Sequence, residues 1–524
     1  MGIMLYIFLI VHLILLNGEY MEDKGRSRKK NLLFIMADDL RPDLPSYGRN
    51  HVIAPNFDRL SKRSMTFDRA YNQLPVCFPS RHSILTGLRP DTTGILTWTD
   101  AQMPYLDSLM SILVRNQYYS AGYGKLFHHP HNKSAEYPDG RWDGSWYRYQ
   151  NEETKFLNSS TMPDHVRSEE EFRDYEIATY AIDKMKMLSR SSKKTGRPFL
   201  LTVGFKLPHT QYHIPSSYVD LYRNSPFIRA LAVSNDSDYA FPRGTPRMNY
   251  RCCASNYVRY MQADGREASQ SFSQRLYGLM EFPARARVEL ALGYLAGITF
   301  LDKQLGRVLD ALEALGEADD TVIVFTSDHG MHVGEKGMWE KYTLFEETSR
   351  VPLIISDPDA KELWGGHYSA PVESVDILPT ILSLLGLRRV PVLCPRGRLC
   401  VDMEGRSLAQ YVTGFVPQWE QKLRSQASAA PVPYALSQMR RCQYGVRESH
   451  SSKDPADRWS AICAAKNKGS GSIMGYSLRS LDWRYTAWFP FSSKHGRVIL
   501  HDGVTPMSEE LYVASLQTQP QPQP

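Results

Sequence analysis

The feature that most constrains the fold is a set of apolar segments that are each followed at once by polar side chains. Three of these segments are nearly continuous apolar runs, at residues 31–36, 198–205 and 321–325. Such runs, which lack regular polar alternation, are typical of strands buried on both faces of a parallel sheet. An apolar helical repeat at 288–315 predicts a long helix that covers the sheet. The chain is therefore predicted to fold as an α/β protein.

Weaker patterns divide the 524 residues into regions. Further strands are predicted at 120–124 and 351–355, and further helices at 56–64, 175–188 and 376–385. Residues 129–174 are predicted to be a surface insertion, and 210–282 to be irregular loops. Antiparallel strands at 474–478 and 485–489 predict a small C-terminal α+β subdomain. We therefore expect a large domain over 30–420, the subdomain over 430–515 and a disordered tail over 516–524.

The polar groups that follow the strands predict a ligand site. They are Asp38 and Asp39, Lys125 and His128, His209, and Asp328 and His329. In an open α/β sheet, ligands bind at the carboxyl ends of parallel strands, so these groups should lie together. Three carboxylates placed together would repel one another, and a divalent metal would relieve the repulsion. Oxygen ligands favour Ca²⁺ or Mg²⁺, while the nearby histidines keep Zn²⁺ open. The structural alternative for Asp38 and Asp39 is a helix cap with a solvated acid.

The segment Cys77-Phe78-Pro79-Ser80-Arg81 predicts a nucleophile that faces an anion. Pro79 suits the first turn of a helix, where its missing N–H costs no hydrogen bond. A helix is therefore predicted over 80–86, and Gly87 suits the left-handed residue that ends it. Cys77 would lie just before the helix N-terminus, where the backbone N–H groups favour negative charge.

Composition and termini indicate where such a protein would work. The net charge of +6 is spread along the chain, and no basic cluster indicates a nucleic-acid partner. Residues 1–18 are predicted to be a signal peptide, with a single-pass anchor as the alternative. Glycosylation sequons at Asn132, Asn158 and Asn235 support entry into the secretory pathway. We therefore expect a lysosomal or secreted glycoprotein with no stable membrane insertion.

The seven cysteines form an odd set. If Cys77 is the unpaired one, six remain for disulfides. Cys394 and Cys400 close a short loop and are the pair we predict first; Cys442 with Cys463 is a further hypothesis. Cys252 and Cys253 are not assigned.

The cysteine segment, with Leu85-Thr86-Gly87, resembles the signature of the type I sulfatases. The acids after the first and late strands match the same family. Counterparts also occur in order at 89–93, 124–128, 341–342 and 474–477, and are similar to the branch that acts on iduronate 2-sulfate. The resemblance extends over about 31–511. It implies an alkaline-phosphatase-like sulfatase fold with a large, mostly parallel central sheet flanked by helices.

The resemblance also implies a mechanism. Cys77 would be oxidised by the formylglycine-generating enzyme to formylglycine, whose hydrate attacks sulfur and later expels sulfate. The residues that would surround Ca²⁺ are the modified Cys77, Asp38, Asp39, Asp328 and, as a weak or neighbouring ligand, His329.

Other roles follow from the same resemblance. Arg81 would hold the hydrated aldehyde, and Lys125, Lys341 and His209 would hold the sulfate. His128 would accept the proton that drives sulfate release, and His209 would protonate the leaving oxygen. Trp339 and Tyr342 would contact the substrate. Plain solvated side chains remain the alternative for Lys341 and His128.

The function so implied is hydrolysis of 2-O-sulfate from uronic acid residues of heparan or dermatan sulfate. One rival is a phosphate or phosphonate ester hydrolase that uses the same modified residue. The other is a catalytically silent glycan-binding homologue, which the intact Cys77, Arg81, Asp38 and Asp328 disfavour.

Overall fold

A computed structural model describes residues 29–97, 107–126, 168–210, 212, 214–233, 284–389, 401–414, 433–442, 472–492, 497–498 and 505–513. The helices are α1 Pro55–Ser61, α2 Cys77–Thr86, α3 Pro90–Thr93, α4 Leu109–Arg115, α5 Arg173–Thr195, α6 Ser216–Arg223, α7 Pro226–Val233, α8 Ala284–Ala314, α9 Glu346–Ser349, α10 Ile377–Leu384 and α11 Ala409–Thr413. The strands of the large domain are β1 Asn31–Asp38, β2 Met65–Phe67, β3 Ala70–Tyr71, β4 Tyr119–Gly124, β5 Phe199–Pro208, β6 Thr321–Ser327, β7 His332–Val333, β8 Trp339–Glu340, β9 Arg350–Val351, β10 Leu353–Ser356, β11 His367–Tyr368 and β12 Val372–Glu373. Near the C-terminus follow β13 Ala435–Cys442, β14 Ser472–Arg479, β15 Trp483–Ser492, β16 Arg497–Val498 and β17 Ser508–Val513.

The central sheet has seven strands in the order β11-β2-β10-β6-β1-β5-β4. The four neighbours β6, β1, β5 and β4 are parallel, and Ile35 of β1 pairs with Val203 on one side and Phe325 on the other. This confirms the prediction of a mostly parallel sheet. The predicted strand at 351–355 is divided between β9, which pairs with β3, and β10, which runs antiparallel to both β6 and β2.

Alternate residues of β1 enter two cores on opposite faces of the sheet. Leu33 and Ile35 pack in the cluster that includes the long helix α8, whereas Leu32 and Phe34 pack in the cluster that includes α2 and α10. Every residue of β1 is buried, because helices cover both faces.

The prediction of irregular loops at 210–282 is wrong for the part that the structure describes. Helices α6 and α7 lie there and pack against α8. Val219 and Tyr222 of α6, and Ile228 and Leu231 of α7, are buried at i, i+3 spacing. Two helices of eight residues each carry too few apolar positions to stand out in the sequence.

Strands β13 to β17 form one antiparallel sheet, which we call the C-terminal sheet. Its strands β14 and β15 contain the two predicted segments and extend beyond both. Met474 and Trp488 of this sheet pack with Leu74, Val76 and Leu344 of the large domain in a third core cluster. The C-terminal sheet is thus packed directly against the residues that precede Cys77.

Several predictions lie outside the described residues: the signal peptide at 1–18, the three sequons, most of the domain boundary, the tail, and the predicted disulfide partners Cys394, Cys400 and Cys463. Among the helices that the structure describes, none combines the length and apolar character needed to cross a membrane.

Candidate active site

The carboxyl ends of β6, β1, β5 and β4 bring the predicted polar groups together. Asp38 and Asp39 lie at the end of β1, and Asp328 follows β6. The backbone N–H of Asp39 donates to Asp328 Oδ1 at 3.1 Å. Asp39 has a φ of +65°, in the left-handed region that aspartate tolerates better than most residues. This turn leaves both carboxylates of the Asp38-Asp39 pair buried at the sheet edge.

Cys77 is the first residue of α2, so the predicted helix start at Ser80 is three residues too late. Pro79 fits within the first turn because the first four N–H groups of a helix have no intrahelical partner. Gly87 ends the helix with a φ of +69°, as predicted. All ten residues of α2 are buried, and Cys77 is 3% exposed.

The Cys77 thiol is surrounded by four of the predicted site residues. Its Sγ lies 3.1 Å from Lys341 Nζ, 3.3 Å from His329 Nε2, and 3.6 Å from both Lys125 Nζ and Asp38 Oδ1. A nucleophilic atom at this position lies among positive groups at a helix N-terminus.

Arg81 forms the fixed frame of the cluster. Its guanidinium is fully buried and donates from Nε to Asp328 Oδ2 at 2.8 Å and from Nη2 to Asp38 Oδ1 at 3.2 Å. It also donates to the backbone carbonyls of Lys125 and Leu126. Arg81 thereby ties the ends of three strands together.

The three carboxylates already have cationic partners, so the prediction that they need a metal to balance their charge is incomplete. Lys125 contacts Asp38, and Lys341 Nζ lies 2.8 Å from Asp39 Oδ1. Arg81 contacts both Asp38 and Asp328. The expectation of a metal therefore depends on the donor set rather than on charge balance.

The buried groups differ in how well they are compensated. Burial alone would raise the pKa of Asp38, but Lys125, His209 and Arg81 lower it well below its usual value. Burial raises the pKa of Asp328 to about 7, because the attraction of Arg81 and His329 does not offset the loss of solvation. Burial would lower the pKa of His329, yet the adjacent Asp328 raises it to about 9.

The donor atoms can hold a metal ion. Asp38, Cys77, Asp328 and His329 each offer one atom within 4.8 Å of the others, and Asp38, Asp39, Cys77 and His209 form a second such group. The two groups share Asp38 and Cys77 and describe one site. Its three carboxylates fit a hard divalent cation, while histidine and sulfur are donors that Ca²⁺ seldom takes.

Lys206 belongs to the site, although the sequence analysis did not assign it a role. Its Nζ lies 2.9 Å from His209 Nδ1 and 3.6 Å from Asp38 Oδ2. Burial and repulsion by Lys125 lower the pKa of Lys206 to about 7. Its position directly after an apolar run is the signal that identified the other residues and could have identified Lys206.

His209 lies opposite the acids, with Nε2 at 3.8 Å from Asp39 Oδ2. Burial, together with the nearby Lys206, lowers the pKa of its imidazole. His128 lies outside the described residues.

Lys341 reaches the site from a loop with unusual backbone. Its neighbours Glu340 and Tyr342 have φ values of +62° and +73°, each of which costs of order 1 kcal/mol in a residue other than glycine. Trp339 is buried in the core against Gly334, and Tyr342 is partly buried against the third core cluster. The loop thus places the Lys341 amine at Cys77 while its aromatic neighbours pack mainly against the protein.

Comparisons with known proteins agree with this architecture. The sequence model of the Sulfatase family matches residues 30–387. The iduronate 2-sulfatase of Mus musculus is 30% identical over 517 residues, covering 88% of this chain and 85% of the relative.

Two solved structures share the fold. BT4656 in complex with its substrate D-glucosamine-2-N,6-O-disulfate has a TM-score of 0.58 at 21% identity and covers 94% of this chain and 93% of its own. The phosphonate monoester hydrolase of Agrobacterium radiobacter has a TM-score of 0.58 at 20% identity, covering 89% and 90%.

The family match spans more than half of the chain, and the similarity to the mouse relative extends over most of both proteins. The chain therefore belongs to the sulfatase family of sulfuric ester hydrolases.

Proposed function

We propose that this sulfatase removes 2-O-sulfate from uronic acid residues, iduronate above all, of heparan or dermatan sulfate. The observation that carries the proposal is the position of Cys77 Sγ, at the N-terminus of α2 and within 3.6 Å of Lys125, Lys341 and Asp38. A tetrahedral anion presented to this atom would meet cationic groups from separate strands and loops. The similarity to iduronate 2-sulfatase supports the choice of sugar.

The proposed reaction needs two groups that are added after translation, a bound Ca²⁺ and a formylglycine at residue 77. Asp38, Asp39 and Asp328, with His329 and the side chain of residue 77, would hold Ca²⁺. Hydrated formylglycine at residue 77 would supply a hydroxyl group as the nucleophile. Bound Ca²⁺ would lower the pKa of that hydroxyl group.

The lysines of the site would change partners when substrate binds. Lys125 Nζ and Lys341 Nζ now contact carboxylates and the thiol together. An ammonium is a compact charge on a flexible stem, so it can turn from a carboxylate to a sulfate oxygen without moving the backbone. Lys125 and Lys341 would then stabilise the charge that develops on sulfate.

The histidines would move the protons. His209 is buried and faces the acids through Nε2, and we propose that a proton at this atom passes to the leaving sugar oxygen. Lys206 contacts the opposite ring nitrogen, Nδ1, and would fix the ring orientation. His128 is proposed, by resemblance alone, to accept the proton that accompanies sulfate release.

Burial of the cysteine segment restricts when it could be modified. Cys77 is 3% exposed, Phe78 is 5% exposed and Arg81 is fully buried. A formylglycine-generating enzyme that reads Cys77, Pro79 and Arg81 could not reach these side chains in the folded protein. The proposal therefore requires that the modification precedes folding of this segment.

The test is hydrolysis by protein purified from a eukaryotic secretory host. The substrate is a disaccharide ending in 2-O-sulfated iduronate, and the matched control carries its sulfate at O6 of glucosamine. We expect sulfate release from the first with the larger kcat/KM. Equal rates on the two substrates would contradict the assigned position of the sulfate. Absence of sulfate release from both substrates would contradict the proposed function.

A phosphonate or phosphate ester hydrolase is the second candidate, favoured by the shared fold with the phosphonate monoester hydrolase. An aryl sulfate and the matched aryl phosphonate monoester separate the two candidates. Faster hydrolysis of the phosphonate would favour the second.

A further inference from the structure

The loop that carries Lys341 does not have a conformation that its own sequence favours. Glu340 and Tyr342, on either side of the lysine, both have left-handed backbone, which residues with a Cβ seldom adopt. Lys341 itself is 6% exposed, and its amine lies between Asp39 and Cys77. Contacts from outside the loop are therefore needed to keep the amine at this position.

Those contacts come from the C-terminal sheet. Arg441 of β13 is 6% exposed, and its Nη2 donates a hydrogen bond to the backbone carbonyl of Tyr342. Arg484 of β15 donates from Nη1 to the carbonyl of Leu344 at 2.5 Å. The side chains of Tyr342 and Leu344 pack with Trp488 in the third core cluster. Two guanidinium groups and one apolar cluster thus hold the loop from the same side.

Arg441 is the contact nearest to the lysine. It binds the carbonyl of Tyr342, which follows Lys341 directly, whereas Arg484 binds the carbonyl of Leu344, two residues after Tyr342. A planar guanidinium with fixed donor directions constrains a carbonyl more tightly than a lysine amine would. Loss of Arg441 would leave the left-handed backbone at Tyr342 without its hydrogen bond from the C-terminal sheet.

We propose that Arg441 is a positioning residue for Lys341, so that the C-terminal sheet sets the geometry of the sulfate-binding amine from outside the central sheet. The inference rests on the proposed function of Lys341 in holding sulfate. Displacement of a binding group by about 1 Å can cost about 100-fold in rate.

A double-mutant cycle tests the proposal. Arg441→Ala should lower kcat by about 10-fold to 100-fold. In a Lys341→Ala background the same change should cost almost nothing further, because Arg441 acts through the lysine. Independent, additive losses would overturn the proposal. Arg441→Lys keeps the charge and the stem, should restore part of the activity, and replaces the alanine variant in the cycle if the latter does not fold.

Arg440→Ala is the matched control. Arg440 is the preceding residue of β13, and its side chain lies beside Ser472 and Phe491 rather than at the loop. We expect kcat within a few-fold of the wild-type value. An equal loss in Arg440→Ala would show a general effect of damage to the strand and contradict the proposal.

Amide hydrogen exchange separates failure of the inference from failure of the proposed function. Exchange in the peptide covering 339–345 should be faster in Arg441→Ala than in wild type and Arg440→Ala. If the wild type hydrolyses no sulfate ester, the proposed function fails, and the exchange of this loop still decides whether Arg441 holds it. Unchanged exchange would overturn the inference.

Discussion

Two largely buried clusters of charged side chains, one around Cys77 at the sheet edge and one around Glu346 beneath the C-terminal sheet, contain similar residues but differ in their electrostatics. In the first, Arg81 and two lysines contact three aspartates around Cys77. In the second, Glu346 accepts from Arg479 Nε at 2.7 Å and Arg484 Nη2 at 2.6 Å, with the Tyr71 hydroxyl 3.1 Å away. The side chains of the three aspartates are at most 2% exposed, and that of Glu346 is 12% exposed, so both clusters are largely enclosed by protein.

Their acids differ in compensation. Burial would raise the pKa of Glu346, but Arg484 and Arg479 lower it far below its usual value. Asp328, by contrast, has a pKa raised to about 7 by burial and by the neighbouring Asp38. The arginines around Glu346 more than offset its burial, whereas Arg81 and His329 do not offset the burial of Asp328 in the cluster around Cys77.

The cations differ as well. Arg479 and Arg484 also donate to the carbonyls of Leu481 and Leu344, so their geometry is fixed by several bonds. At the sheet edge the cationic groups nearest the thiol, apart from His329, are lysines, which hold single charges on flexible stems. Arg479 and Arg484 therefore stabilise a permanent contact between the C-terminal sheet and the large domain. The lysines at Cys77 can instead exchange a carboxylate partner for a ligand.

Cys77→Ser should show the largest loss of activity with almost no loss of stability. Removal of the residue that carries the nucleophile should lower sulfate ester hydrolysis by at least about 1,000-fold. The serine is nearly isosteric with cysteine, so the melting temperature should stay close to that of the wild type. Hydrolysis at the normal rate, measured with the 2-O-sulfated disaccharide, would contradict the assignment.

Removal of divalent metal should affect one cluster only. Chelation followed by dialysis should abolish activity, and Ca²⁺ should restore it. Metal at 100 times its Kd should add about 2.7 kcal/mol to the free energy of unfolding. Thermal melts should show this gain in wild type and in Glu346→Gln and its loss in Asp38→Asn. Full activity after chelation would contradict a role of the metal in hydrolysis.

Glu346→Gln should show the opposite profile, with little change in activity and a large change in stability. Two buried arginines would lose the carboxylate they share, which should lower the free energy of unfolding by about 3 kcal/mol. Denaturant titration measures this loss, and kcat at a temperature well below the melting point should stay within a few-fold of wild type. A strong loss of activity in a stable Glu346→Gln protein would mean that Glu346 is needed to keep Arg484 on the Leu344 carbonyl, and would contradict Arg441 as the main contact that holds the Lys341 loop.

The smallest effect is the pH dependence of that stability difference. The pKa of Glu346 in the folded protein lies below its unfolded value of about 4.3, so its contribution is complete at higher pH and is lost as pH falls. The difference in unfolding free energy between wild type and Glu346→Gln should therefore be constant from about pH 7 to pH 5 and shrink below about pH 4. A difference that grows on acidification would contradict the assigned pairing.

The parallel strands and their polar ends could be predicted because both depend on local sequence. Runs such as 31–36 identify buried strands, and parallel neighbours share their carboxyl edge. The predicted start of α2 at Ser80 is three residues too late, because the first turn of a helix tolerates proline at several positions.

Other parts of the site depend on contacts distant in sequence. The sequence around Lys341 does not predict the left-handed backbone at Glu340 and Tyr342. Contacts with the C-terminal sheet, which are distant in sequence, stabilise this conformation. Arg441 lies 99 positions beyond Tyr342, and no local pattern links the two residues. Likewise, the pairing of Lys125 with Asp38 became known only from the folded arrangement.

The central claim is that residue 77 works as formylglycine rather than as cysteine. Mass spectrometry of the tryptic peptide 70–81, from protein made in a eukaryotic secretory host, tests it most directly. We predict that active preparations carry the aldehyde mass at residue 77, in proportion to their specific activity. A fully active preparation with only cysteine at this position would contradict the account.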